Sequence, residues 1–162
     1  MKTLTALLLL VCIPLFGSGL DEGDIRGAWL QRGAKWTNAP PDINPHLQTA
    51  ETEILYFGKD LDFAIIDCVV NRVPKEYETI SHGDGRSVYL GKWNAAGDDL
   101  GVEYRLVDRT LKIKGEVLPG PMQHATLKAS HGVLDFGGKI FHRAVGLDKS
   151  AAEVLNGLPS SQ

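Results

Sequence analysis

Residues 52–57 (TEILYF) and 61–72 (LDFAIIDCVVNR) decide the fold of this chain. Both stretches are rich in branched and aromatic residues, which favour extended strands. The residues between them, Gly58, Lys59 and Asp60, are of the kind that form turns. Two strand-like stretches joined by a short segment containing glycine predict a β-hairpin. The chain is therefore expected to be built from antiparallel strands.

The same hairpin pattern repeats along most of the chain. Apolar and polar residues alternate, and the 3.6-residue period of helices is rare. A capping pair, Ser150 with Glu153, followed by Gly157, predicts one short helix near the C-terminus. The predicted strands cover residues 27–32, 52–57, 61–72, 76–80, 86–94, 100–107, 110–118, 125–129, 133–136 and 139–144.

These strands, with no crossover helix between them, predict an all-β fold. An antiparallel up-and-down β-barrel of about 8–10 strands is favoured, because closure removes the exposed edges of a sheet. A β-sandwich is the alternative. The first and last strands carry residues suited to closure. Gly27 allows close backbone approach, and Arg143 is expected to lie across the indole of Trp29 in a cation–π contact.

The N-terminus has the order of a secretory signal peptide. Lys2 precedes an uncharged, mostly apolar stretch over residues 3–16, and Gly17 and Gly19 supply small residues for cleavage after position 19. The apolar stretch contains Pro14 and is shorter than the roughly 20 residues that a membrane-spanning helix needs. The protein is therefore expected to be secreted or periplasmic, with no stable membrane span after cleavage.

Cleavage at that point divides the chain into three parts. Residues 1–19 are the predicted leader, residues 20–146 the barrel domain, and residues 147–162 a tail with the short helix. Cys12 leaves with the leader, so Cys68 becomes the one cysteine of the mature protein. Because Cys68 lies in an apolar strand, it is expected to be buried as a small hydrophobic residue.

Charge and motifs argue against several classes of function. The 162 residues include 17 Lys and Arg against 20 Asp and Glu, a net charge of −3 that is a poor basis for binding nucleic acid. The five histidines show no short metal-ligand spacing. The sequence contains no nucleophile elbow, phosphate-binding loop or dinucleotide fingerprint. No catalytic residue, metal or cofactor is predicted.

Residues at the two ends of the strand region resemble the lipocalin-like, or calycin, group of small β-barrels. Gly27-Ala28-Trp29 is similar to the Gly-x-Trp with which these barrels begin, and Arg143 to the basic residue on their last strand. A meander of hairpins connects the two, so the resemblance covers residues 25–144. It implies a barrel whose partner is a small, mostly apolar ligand.

Six residues are candidates for lining that ligand site. One lies in a proline-containing loop predicted over residues 33–46, which in a barrel would overhang the open mouth. Tyr89 and Trp93 share one strand face with Gly91 between them, a gap for a ligand or for a neighbouring side chain. The same residues would equally suit a packed core. The candidates are Trp36, Phe63, Tyr89, Trp93, Val102 and Tyr104.

Three hypotheses about function therefore remain, each from a different class. The first is a secreted or periplasmic protein that holds a small hydrophobic molecule in its barrel; a cavity of about 300 Å³ or more lined by aromatic residues would favour it. The second is a solid barrel that acts through its surface, as an envelope interaction module or an inhibitor. An exposed apolar patch of several hundred Å² would favour that reading. A hydrolase of unknown class is the third.

Overall fold

The computed structural model describes residues 22–40, 42, 44–73, 76–81, 87–96, 99–109, 120–130 and 132–158. The predicted leader over residues 1–19 and the predicted strand over residues 110–118 lie outside these ranges. The described elements are α1 (Glu22–Ile25), β1 (Gly27–Gln31), β2 (Thr37–Asn38), β3 (Gln48–Phe57), β4 (Asp62–Val73), β5 (Glu76–Ser81), β6 (Ser87–Ala96), β7 (Asp99–Arg109), β8 (Gln123–Ser130), β9 (Val133–Phe136), β10 (Lys139–Arg143), a 3₁₀ turn (Val145–Leu147) and α2 (Asp148–Asn156).

Eight strands close into an antiparallel barrel, which confirms the predicted all-β barrel with its short C-terminal helix. β1 pairs with β10, where Trp29 lies opposite Arg143, and on its other edge with β3, where Leu30 lies opposite Ile54. The order around the barrel is β1, β3, β4, β6, β7, β8, β9, β10. β2 pairs with the start of β3, and β5 with the end of β4, outside this ring.

The hairpin of β3 and β4 is longer than predicted. The two strands pair from Gln48 opposite Arg72 to Phe57 opposite Phe63, so β3 begins at Gln48 rather than at residue 52. The polar residues at the start of β3 pair with β4 on one edge and with β2 on the other. Pairing on both edges supplies backbone hydrogen bonds that residue type alone does not reveal.

Apolar side chains form two cores, one on each side of the barrel wall. Successive residues of a strand point to opposite faces, so Leu55 lies inside the barrel and Ile54 outside. Both faces of β4 are buried, which explains its nearly continuous apolar sequence. Leu147 and Ala151 are fully buried in the outer core, so the C-terminal segment covers one outer face of the barrel.

One end of the barrel is closed by α1 and by a hydrogen-bonded ion pair. Ile25 is buried in the inner core, and its carbonyl accepts a bond of 2.7 Å from Trp29 Nε1. The Arg143 guanidinium donates to both carboxylate oxygens of Asp148, at 2.6 and 2.7 Å. It also donates to the Ala28 carbonyl, while the Ala28 N–H donates to Asp148 Oδ1. This network joins the first strand, the last strand and α2.

Arg143 does not stack on Trp29 as predicted. Its guanidinium lies above Gly27, where a Cβ atom would clash with it, and the φ of +105° at Gly27 is one that other residues rarely adopt. The arginine turns to Asp148 because a carboxylate offers two charge-assisted hydrogen bonds that an indole cannot. Among the described residues the cation–π contact is instead that of Arg72 over Trp36, at 3.7 Å.

The C-terminal helix begins before the predicted capping pair. α2 starts at Asp148, directly after the 3₁₀ turn, and its N-cap residue Leu147 makes no side-chain capping bond. Ser150 therefore lies inside the helix, because Arg143 fixes Asp148 in its first turn. The helix ends at Asn156, and the predicted Gly157 is its C-cap residue. Within the described residues, no helix has the length and apolar character needed to cross a membrane.

Replacing Asp148 by alanine tests the closing network. Asp148→Ala removes two bonds to Arg143 and one to the Ala28 N–H, and it should lower the free energy of unfolding by about 1–3 kcal/mol. Urea denaturation followed by tryptophan fluorescence measures the change. The control is Lys149→Ala at the neighbouring exposed position, which should stay within about 0.5 kcal/mol of the original protein. Equal effects of the two substitutions would show that the network does not stabilise closure.

Candidate ligand-binding site

A cavity of about 460 Å³ lies at the open end of the barrel. Lys139, which lines it, begins β10, whereas Arg143 of the closing network ends that strand, so the two features occupy opposite ends. The cavity combines apolar and aromatic walls with a few polar groups. Its lining includes Glu53, Ile65, Tyr89, Tyr104, Gln123, Ala125, Phe136 and Lys139.

Tyr104 is the centre of the aromatic wall. Its ring centroid lies 6.0 Å from that of Tyr89, 5.9 Å from that of Phe136 and 5.9 Å from that of Phe63. All three pairs meet edge to face, a favourable geometry for aromatic rings. Phe63 is only 1% exposed and supports the cavity from below. The rings thus hold one another in place around the opening.

The lower part of the barrel is filled with side chains. The Phe57 ring lies 5.1 Å from Phe63 and 5.5 Å from Trp93, centroid to centroid. Trp93 is 2% exposed and Val102 is 4% exposed. The cavity is therefore a cup at one end of the barrel, above a packed core.

An ion pair lies at the rim of the cup. Lys139 Nζ donates to both carboxylate oxygens of Glu53, each at 2.7 Å, and both side chains remain partly exposed. Burial raises the pKa of the Tyr104 hydroxyl above its usual value, and the nearby Tyr89 and Glu53 raise it further. Tyr104 is therefore neutral at physiological pH.

The structure brings together some of the predicted ligand-site residues and separates others. Tyr89 and Tyr104 line the cavity, and Phe63 lies directly beneath it. Trp93 and Val102 belong to the packed core below. The prediction that Trp36 overhangs the mouth is wrong: Trp36 packs against the outer core, beneath Arg72. Its indole finds its packing partners on the outside of the barrel wall.

Gly91 does not open a gap between Tyr89 and Trp93. A Cβ atom at Gly91 would clash with the backbone carbonyl of Glu103, on the neighbouring strand β7. The predicted space is taken by that backbone, neither by a ligand nor by a side chain. Gly91 is required because β6 and β7 approach each other closely at this point.

Sequence reasoning missed most of the other residues that line the cup, which are Glu53, Gln123, Ala125, Thr126, Phe136, Gly137 and Lys139. Glu53 follows from the strand period, because it shares a face with Leu55 and Phe57 of the inner core. Ile65 stands on the same face as the candidate Phe63. Phe136 and Lys139 flank the Gly137-Gly138 turn, and only barrel closure brings their side chains to Tyr104 on β7 and to Glu53 on β3.

The described residues also form clefts on the outside of the barrel wall. One of about 300 Å³ includes Leu30, Trp36, Arg72 and His142. Burial is the main cause that lowers the pKa of His142, and the positive charge of Arg32 adds to it. His142 is therefore neutral at physiological pH. The arrangement offers a neutral imidazole beside two arginines, and no nucleophile lines it.

Two observations bear on the other hypotheses. Among the residues that the structure describes, no three His, Cys, Asp or Glu side chains cluster as metal ligands would. In the same part of the chain the exposed large apolar side chains are Leu61, Met122 and Val145, which belong to three separate segments.

Comparison with known proteins identifies no relative: no family model, no curated protein and no solved structure matches the chain.

Gly91→Ala tests the close approach of β6 and β7. The new methyl group meets the rigid backbone of Glu103, so we expect a loss of about 1–3 kcal/mol in the free energy of unfolding. Gly101→Ala on β7 is the matched control. Its methyl group would meet the flexible side chain of Asn94, which can move aside at a smaller cost. Urea denaturation of both variants measures the difference, and a Gly91→Ala variant as stable as the original protein would contradict the close approach.

Proposed function

We propose that this protein binds a small, mostly apolar molecule in the open end of its barrel and performs no catalysis on it. The observation that carries the proposal is the aromatic-walled cavity of about 460 Å³. Small-molecule sites typically have about 300–1,000 Å³, apolar walls and a few polar groups. The cup has each of these properties.

The packed lower barrel restricts what the cup can hold. Phe63 and the rings below it occupy the space into which a long chain would otherwise extend. A ligand of the cup therefore has a compact or short apolar body, which displaces water from Ile65, Tyr104 and Phe136. Removing apolar surface from water favours binding by roughly 25 cal/mol per Å². Glu53, Gln123 and Lys139 then meet the polar end of the molecule.

We also propose that the chain is a lipocalin-like protein that acts outside the cytoplasm. The closed antiparallel barrel, the Gly-x-Trp on β1 and Arg143 on β10 support the first part. The signal-peptide order of residues 1–19 supports the second part. A binding protein that carries a small apolar molecule through water fits both.

Ala125→Phe tests ligand binding in the cup. Ala125 lines the cavity from β8, so a phenyl ring there should fill the space and reduce binding of the neutral fluorescent probe N-phenyl-1-naphthylamine by at least about tenfold, or 1.4 kcal/mol. Probe fluorescence and thermal unfolding are measured together, so that a folding defect is recognised.

The matched control for that variant is His124→Phe. His124 is the preceding residue of β8 and therefore points to the opposite face of the sheet. Its replacement should leave probe binding unchanged. Undiminished binding by a folded Ala125→Phe variant would show that the probe does not occupy the cup.

The export proposal has its own test. When the full chain is expressed in a bacterium with its own N-terminus, cleavage after Gly19 should yield a mature protein that begins at Leu20. Mass spectrometry of the protein from the periplasm and from the cytoplasm identifies the N-terminus. Full-length protein found only in the cytoplasm would contradict the proposal.

A further inference from the structure

The charged side chains in the described lining of the cup are Glu53 and Lys139. Glu53 stands on the strand face that carries Leu55 into the inner core. Lys139 Nζ donates to both of its carboxylate oxygens. One carboxylate and one ammonium group therefore meet at the rim of the cup.

The Glu53–Lys139 ion pair can be opened by a ligand. The Lys139 side chain is 48% exposed and that of Glu53 is 30% exposed. Ion pairs with this much access to water contribute little net stability, because solvent and salt screen them. The flexible Lys139 side chain can rotate into solvent, whereas Glu53 lies on a strand that is paired on both edges.

The aromatic wall offers a second attraction for a cation. Tyr89, Tyr104 and Phe136 line the same cavity, and the Tyr104 ring meets the other two at interplanar angles of 81° and 73°. Rings set at steep angles form the sides of a cage rather than a stack. Cages of this kind recognise quaternary and methylated ammonium groups through the negative faces of the rings.

We propose that the polar end of the ligand is an organic ammonium group, held between the Glu53 carboxylate and the rings of Tyr104, Tyr89 and Phe136. The inference rests on the proposed function, since it names the chemical class of the molecule that the cup binds. The apolar body of the ligand occupies the space beside Ile65 and Ala125. Binding replaces Lys139 by the ligand as the partner of Glu53.

A carboxylate ligand is disfavoured by the same arrangement. It would meet Lys139 only after separating that residue from Glu53, and it would then lie beside the Glu53 carboxylate and the negative faces of the aromatic rings. A cation gains from the ring faces and from the Glu53 carboxylate, whereas an anion is repelled by both.

The test compares three amphiphiles that share an octyl chain: octyltrimethylammonium, octanoate and octanol. Their affinities are measured by displacement of N-phenyl-1-naphthylamine from the intact mature protein. We expect octyltrimethylammonium to bind at least about tenfold more tightly than octanoate, a difference of about 1.4 kcal/mol, and more tightly than octanol. The preference for the cation should decrease as salt concentration rises.

Two variants test whether the preference for a cation depends on the Glu53–Lys139 ion pair. Glu53→Gln should weaken binding of octyltrimethylammonium by about tenfold while changing that of octanol by less than about twofold. Lys139→Gln should strengthen cation binding, because it removes the competitor for Glu53. Asp62→Asn is the matched control. It removes a carboxylate from the exposed Asp62–Lys92 pair at the closed end of the barrel and should change neither affinity.

The outcomes separate the two proposals. If octanoate or octanol binds as tightly as the cation, the ammonium inference is overturned while ligand binding in the cup stands. An unchanged cation affinity in a folded Glu53→Gln variant overturns it as well. If the fluorescent probe and all three amphiphiles fail to bind, the proposed function itself is contradicted. Circular dichroism of each variant establishes that the barrel is intact.

Discussion

The pairing of β1 with β10 is the interaction on which the rest of the structure depends. It turns a meander of hairpins into a closed ring, so the first and last strands of that ring satisfy each other's backbone groups. Arg143 and Asp148 hold this seam by bonding to each other and to both backbone groups of Ala28. Because Asp148 begins α2, the same contacts place the C-terminal helix on the outside of the barrel. Closure thereby creates an interior and covers one outer face at once.

Ring closure creates two ends, and side chains make them different. At one end α1 inserts Ile25 beneath the barrel, and Phe57 and Trp93 fill the space above it. At the other end the packed core ends at Phe63. Tyr104 lines the cavity there and does not fill it. A narrow barrel is normally filled by its own residues, so the unfilled cup is the feature on which the proposed ligand site rests.

The geometry of the strands places the two charged residues of the cup. Glu53 shares its strand face with Leu55 and Phe57, yet it lies where the core ends and water begins. Lys139 reaches it across the seam from the opposite part of the sequence. An ion pair between residues so distant in the chain exists only because the ring is closed. The character of the cup therefore depends on the same seam as the fold.

The sequence by itself determined the local structure of this protein. Branched and aromatic residues in period two, interrupted by Gly58 and by Gly137-Gly138, predict strands and tight turns, and their number without crossover helices favours an antiparallel barrel over a β-sandwich. Period two put Tyr89 and Trp93 on one strand face, and the closed barrel shows that this face points inward. Only the tertiary structure decided which partners these side chains meet. Arg143 binds Asp148 and does not stack on Trp29. Trp36 packs outside the barrel wall, beneath Arg72. The backbone of β7 occupies the space beside Gly91. The reason is physical: strand period is a local property of the chain, whereas distances between strands depend on closure, which brings together residues far apart in sequence.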